Sequence, residues 1–154
     1  MKKDIFDEKL LMEEAILEAK KSKLIGEVPV GALVVYDGEI IARGHNQTIK
    51  DNDPTSHAEI NVIRKATIFL KNHRLVNASI VVTLEPCAMC YGAIVQSRIA
   101  RLIFGAYDFK TGMCGSCHSL NQASCFNHKP EVIGGVLEKK CSRLLSNFFK
   151  ERRL

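Results

Sequence analysis

Four side chains have the types and spacing to bind a metal ion and use it. They are His57 and Glu59 in "DPTSHAEI", and Cys87 and Cys90 in "TLEPCAMC". Two cysteines three positions apart share one face of a first helical turn. A helix N-terminus and a nearby cation both favour the thiolate form that zinc requires. With His57 as a third ligand, one Zn2+ per chain keeps a fourth tetrahedral position for water or hydroxide. That is the arrangement of a catalytic site rather than a structural one. Glu59 need not be a ligand. Two residues past His57 it can face the metal-bound water, take its proton and return it to a substrate. Zinc lowers the pKa of such a water to about 7. His57 alone would read as a helix cap or a core residue, and a lone C-x-x-C is only moderately specific. The combination H-x-E, 26 intervening residues and P-C-x-x-C, each half preceded by a strand pattern, points to a catalytic zinc.

A second C-x-x-C lies in "CGSCH", Cys114 to His118. C-x-x-C-H is also the attachment run of a c-type haem. Here it has no matching carboxylate and falls in a predicted loop. Cys114 and Cys117 therefore read as incidental, with an accessory metal or redox role as the alternative, and the sequence assigns no role to Cys125 or Cys141. The N-terminal stretch alternates acids with apolar residues and lacks the pattern of a signal peptide. No apolar run approaches the length of a bilayer span. The expectation is a cytoplasmic protein whose six cysteines stay reduced.

The elements that must position the four residues follow from periodicity. Residues 7–21 place Leu11, Ala15, Ile16 and Ala19 at helical spacing. "VPVGALVVY" and "EIIARG" are strands joined by Asp37 and Gly38, a hairpin turn pair. "DNDPTSHAEINVIRKATIFLK" opens on cap-type residues and continues with one helical face. "SIVVTL" and "ARLIFG" are continuous apolar strands of the kind buried on both faces. Between them "CAMCYGAIVQSR" is a helix with Pro86 at its entrance. "EVIGGV" is a short strand, and Leu137, Cys141, Leu144, Leu145 and Phe148 mark a closing amphipathic helix. Residues 105–130 form a long connection, a length that inside a compact domain is functional or partly structured. The order predicts an α/β fold in one domain, residues 1–154, with helices on both faces of one sheet. Strands near 40–45, 79–84 and 100–104 should run parallel, so that their carboxyl ends share the edge where such sheets bind ligands.

The net charge is +5, from 22 basic and 17 acidic residues. This is compatible with a phosphate-bearing partner without requiring one. Lys150, Arg152 and Arg153 end the last helix, where they either complement the helix dipole or touch phosphates.

H-x-E followed by P-C-x-x-C is the signature of zinc-dependent nucleobase deaminases, in which the Glu shuttles protons. Around it, "VPVGALVV", "GHNQ", "TLEPCAMCYGAIVQSRI", "FGAYDFKTG" and "LLSNFFKERR" resemble the bacterial tRNA-specific adenosine deaminases over nearly the whole chain. The resemblance implies a cytidine deaminase-like three-layer fold with a mixed five-stranded sheet. It implies that zinc hydroxide attacks C6 of the wobble adenosine of a tRNA anticodon, with Glu59 as proton shuttle, to give inosine. It implies an anticodon stem-loop as partner, a homodimer and no membrane. By similarity Asn46 hydrogen-bonds the purine, the Ala58 backbone faces the reacting edge, and Val28 and Phe149 wall the base. Lys110, Lys150, Arg152 and Arg153 would contact RNA. Read without the resemblance, Asn46 could cap a turn, and Val28 and Phe149 could be plain core. The sequence departs from the family pattern at Gln47 and Thr48, at Cys114, Cys117 and Cys125, and in the acidic "KDND" of residues 50–53. A free-base or nucleoside deaminase acting on guanine, cytosine or cytidine is the alternative on the same zinc core. A silent RNA-binding or zinc-stabilised module is disfavoured by the intact Glu59.

Overall fold

The computed structural model describes residues 7–153. Helix α1 (Glu8–Leu24) precedes the hairpin of β1 (Gly31–Tyr36) and β2 (Glu39–His45). Then come α2 (Ala58–Leu70), β3 (Ser79–Leu84), α3 (Ala88–Gln96), β4 (Arg101–Ala106), β5 (Glu131–Ile133) and α4 (Glu138–Arg152). The five strands form one mixed sheet in the order β2-β1-β3-β4-β5. Strand β1 is antiparallel to β2 and to β3, whereas β3, β4 and β5 are parallel. Strands β2, β3 and β4 therefore do run the same way. The hairpin strand β1 lies between β2 and β3, and its antiparallel sense brings its N-terminal end to the edge that holds their carboxyl ends.

Alternation along the strands builds two cores from the same runs. Ala32, Val34, Ile80, Val82, Leu102 and Phe104 face α2 and α3 through Val62, Ala66, Tyr91 and Ile94. Leu33, Val35, Val81 and Ile103 face the other way, against Met12, Ala15 and Ile16 of α1 and Cys141 of α4. Strands sandwiched in this manner carry apolar residues on both faces, which is why they read as near-continuous apolar runs. Each fully buried Val, Leu, Ile, Phe or Met side chain among them stabilises the fold by roughly 1.5–3 kcal/mol.

Local chemistry sets the element boundaries. Asp7 caps α1 by accepting from the N–H groups of Lys9 and Leu10. Asp37 and Gly38 both take positive φ, 50° and 77°, as a two-residue hairpin turn demands. Gly31 is required by proximity: a Cβ there would lie 2.0 Å from the Ala15 carbonyl oxygen. Helix α2 starts later than its cap-type residues suggest. Asp53 spends its carboxylate on the Thr55 N–H and hydroxyl, and Ser56 bonds Asp51, so this stretch closes on itself and the helix begins only after His57. The long connection is ordered rather than slack. It contains a single 3₁₀ turn at Leu120–Gln122 and a bridge between Cys114 and Ser119.

Candidate active site

The two halves of the motif meet at the predicted sheet edge. His57 is the N-cap of α2 and Cys87 the N-cap of α3, and neither makes a side-chain cap bond. Both side chains are thus free for other work, and both helix N-termini point their partial positive charge at one place. The Nδ1 atom of His57 lies 3.4 Å from Cys90 Sγ and 3.7 Å from Cys87 Sγ. Metal–sulfur and metal–nitrogen bonds of about 2.3 and 2.0–2.1 Å at tetrahedral angles place N and S about 3.6 Å apart. The donor set therefore fits one zinc ion. Among the described residues it is the single group of three or more His, Cys, Asp or Glu side chains gathered closely enough to ligate a metal.

The electrostatics agree with that use. The Cys87 thiol is lowered to about 4, first by a hydrogen bond with Cys90 and then by one with His57. Cys90 is pushed up, first by its bond to Cys87 and then by burial. One thiolate at such range suppresses the second, and a divalent cation removes the conflict. The imidazole of His57 is raised, first by its bond to Cys87 and also by the charge of Glu59. Burial pushes the carboxyl of Glu59 upward. Such a carboxyl holds its proton more readily than an exposed one, the condition for returning it to a substrate.

A cavity of about 240 Å³ opens over these groups, lined by Val28, Asn46, Ala58, Glu59, Asp108 and Thr111, together with His57 and Cys87. Val28, Asn46 and Ala58 are thus brought beside the metal ligands. Asn46 is 8% exposed, and its Oδ1 has no hydrogen-bond partner. Its Nδ2 donates to the Val28 carbonyl and the Glu27 carboxylate, at 3.4 and 3.5 Å. Phe149 is not brought to this lining. It sits half-exposed on α4, edge-on to Phe148 at 5.4 Å. Lys110 is exposed on the loop that supplies Asp108 and Thr111. Lys150, Arg152 and Arg153 are exposed at the end of α4. Arg152 already has an internal role: it donates to the Gly26 carbonyl and lies 4.6 Å from the Phe148 ring centroid.

Two buried acids escaped the sequence reading. Glu85 and Glu27 are 2% and 1% exposed, and each collects donors from a loop at the cavity. The available signal was an acid at the end of an apolar strand and another just before one, in places where acids are buried only when paired. In "CGSCH", Cys114 is buried and Cys117 exposed, and the turn is closed by Gly115 N–H donating to the His118 carbonyl.

Residues 6–106 match the family described as the cytidine and deoxycytidylate deaminase zinc-binding region. The tRNA-specific adenosine deaminase of Bacillus subtilis (strain 168) is 49% identical over 146 residues, 95% of this chain and 91% of that protein. The chain belongs to the zinc-binding deaminase family, in the branch of the tRNA-specific adenosine deaminases. The enzyme of that name from Haemophilus influenzae is 49% identical over 149 residues, 96% of this chain and 86% of its own length. A solved structure from work on A-to-I editing by tRNA:A34 deaminases superposes with a TM-score of 0.86 at 43% identity, covering 88% of this chain and 99% of that one. The guanine deaminase of Nitrosomonas europaea, at 22% identity and a TM-score of 0.75, shares the fold. Among the described residues no helix is long and apolar enough to cross a membrane.

Proposed function

We propose that this chain hydrolyses the wobble adenosine of a tRNA anticodon to inosine, releasing ammonia. The observation that carries the reading is the buried carboxylate of Glu59 beside a three-ligand metal site, in a cavity too small for a stacked duplex. A base must leave its stack to enter such a cavity. His57, Cys87 and Cys90 would hold one zinc ion, which would supply Lewis acidity toward a water molecule. Glu59 takes the water's proton, delivers it to the ring nitrogen next to the reacting carbon, and then passes a second proton to the departing amine. Val28 and Ala58 hold the base, and the unpartnered Oδ1 of Asn46 offers it an acceptor. Lys110, Lys150 and Arg153 are exposed and would meet phosphates of the RNA, whereas Arg152 also donates to the Gly26 carbonyl. The reading takes residues 1–154 as one catalytic domain that works as a cytoplasmic homodimer, as the family resemblance implies.

The test is a deamination assay on an anticodon stem-loop with A at the wobble position, run beside free guanine, cytosine and cytidine. Inosine in the loop is expected, and ammonia only from a free base or nucleoside would replace the reading with the alternative. Glu59→Ala should keep one zinc per chain and lose turnover by about 10²–10⁴ or more. Near-normal turnover in that variant would remove Glu59 from its role.

A further inference from the structure

The carboxylate of Glu85 is buried at the end of β3, two residues before Cys87, and no step of the deamination uses it. Its partners all come from one loop. Oε1 accepts from the Asp108 N–H at 3.0 Å and from the Ser116 hydroxyl. Oε2 accepts from the N–H groups of Cys114 at 2.8 Å and Ser116 at 3.2 Å. That loop also supplies Asp108 and Thr111 to the cavity wall. The Asp108 carboxylate is turned inward on its own turn, accepting from the N–H groups of Lys110 and Thr111 and from the Thr111 hydroxyl. Gly112 closes over the anchor. A Cβ there would lie 2.5 Å from the Glu85 carboxyl carbon and 2.4 Å from the Asp108 carbonyl oxygen.

Four donors converge on one buried side chain, two on each oxygen, and the two acceptor oxygens of a carboxyl group match them. Glutamine in its place would turn an NH2 group toward N–H donors. The loop carries no strand or α-helix, and its other bonds are mostly internal, with Met113 N–H donating to the Pro86 carbonyl as a further tether, so losing four bonds to Glu85 should loosen it. We propose that Glu85 is a positioning residue: it fastens the Asp108–Ser116 loop so that Asp108 and Thr111 form a rigid, substrate-facing wall of the cavity. The inference rests on the deaminase reading for its consequence on RNA, and on geometry alone for the fastening.

The test uses zinc-loaded Glu85→Gln and Gly112→Ala, which attack the same contact from its two sides. Limited trypsin digestion after the exposed Lys110 reports loop opening without any substrate. Both variants should be cut there about tenfold faster than the parent, while zinc stays at one per chain. With the stem-loop, KM should rise about tenfold and kcat should stay within about twofold, because a wall binds the base without touching the reacting atoms. Unchanged cutting in both variants would overturn the fastening. Loss of zinc would make Glu85 a support of the metal site instead. A fall in kcat at constant KM would place Glu85 at the reacting atoms. Should Glu85→Gln fail to fold, Gly112→Ala decides by the same readouts. A parent protein that leaves the stem-loop unreacted would sink the functional reading, yet the digestion arm would still decide the fastening.

Discussion

Removing the other buried acid should show how much the cavity rim owes to a single side chain. Glu27 follows α1 and is 1% exposed. Its Oε1 accepts from the N–H groups of Ile49 and Lys50, both at 2.8 Å. Its Oε2 takes the Thr48 hydroxyl at 3.3 Å and the Asn46 amide at 3.5 Å. Glu27→Ala strips four donors of their acceptor. A hydrogen bond to a charged group contributes roughly 1.5–3 kcal/mol. The two short bonds earn that range, and the two long ones are weak by geometry. Ile49 and Lys50 are exposed, so water reaches their N–H groups once the carboxylate is gone and offsets part of the loss. The net cost is about 2–4 kcal/mol. At about 2–4 °C per kcal/mol for a chain of this size, Tm should drop by about 4–16 °C. Glu27→Gln keeps an oxygen for the two short bonds and should lose less than half as much. Thermal unfolding of zinc-loaded protein followed by circular dichroism measures both. A drop below about 2 °C for Glu27→Ala, or equal drops for the two variants, would refute the reasoning.

Two further outcomes follow from the same structure. In zinc-loaded protein at pH 8, iodoacetamide should modify Cys117 and Cys125 first, as mass spectrometry of the peptides would show, because both are exposed. Cys114 and Cys141 should resist, since burial pushes their thiols up to about 12 and about 11, and a thiol below its pKa stays protonated and unreactive. Gly31→Ala should destabilise by about 3 kcal/mol or more, read from denaturant midpoints, because its methyl would meet α1 backbone at 2.0 and 2.4 Å and neither helix nor strand can yield cheaply. Ordinary stability in that variant would mean α1 packs elsewhere.

What the sequence revealed and what it hid divide along a physical line. Metal ligation is a demand on residue type and spacing, and both are written in the chain. His57, Glu59, Cys87 and Cys90 could therefore be found thirty residues apart, and the sheet edge that joins them could be inferred from which strands lead into helices. The two-sided burial of β3 and β4 was legible for a similar reason, since Ile80, Val81 and Val82, and likewise Leu102, Ile103 and Phe104, are unbroken apolar runs that supply both faces. The start of α2 was not, because Asp53 and Ser56 are good caps by type, and only their bonds to Thr55 and Asp51 show that they are already occupied. Phe149 fell to the same ambiguity. Its place in the helical pattern suits a wall, a core or a surface position, and α4 leaves it half-exposed beside Phe148. Glu27 and Glu85 were hidden more deeply. Their partners are mostly backbone N–H groups, which every residue except proline carries, so no residue type betrays them. The chemistry of this site is thus spelled out by side chains that need one another, while the shape of its cavity is held by carboxylates whose counterparts are anonymous in sequence. Variation that preserves the zinc motif can therefore still change what enters the cavity, by loosening either anchored loop without altering a single ligand.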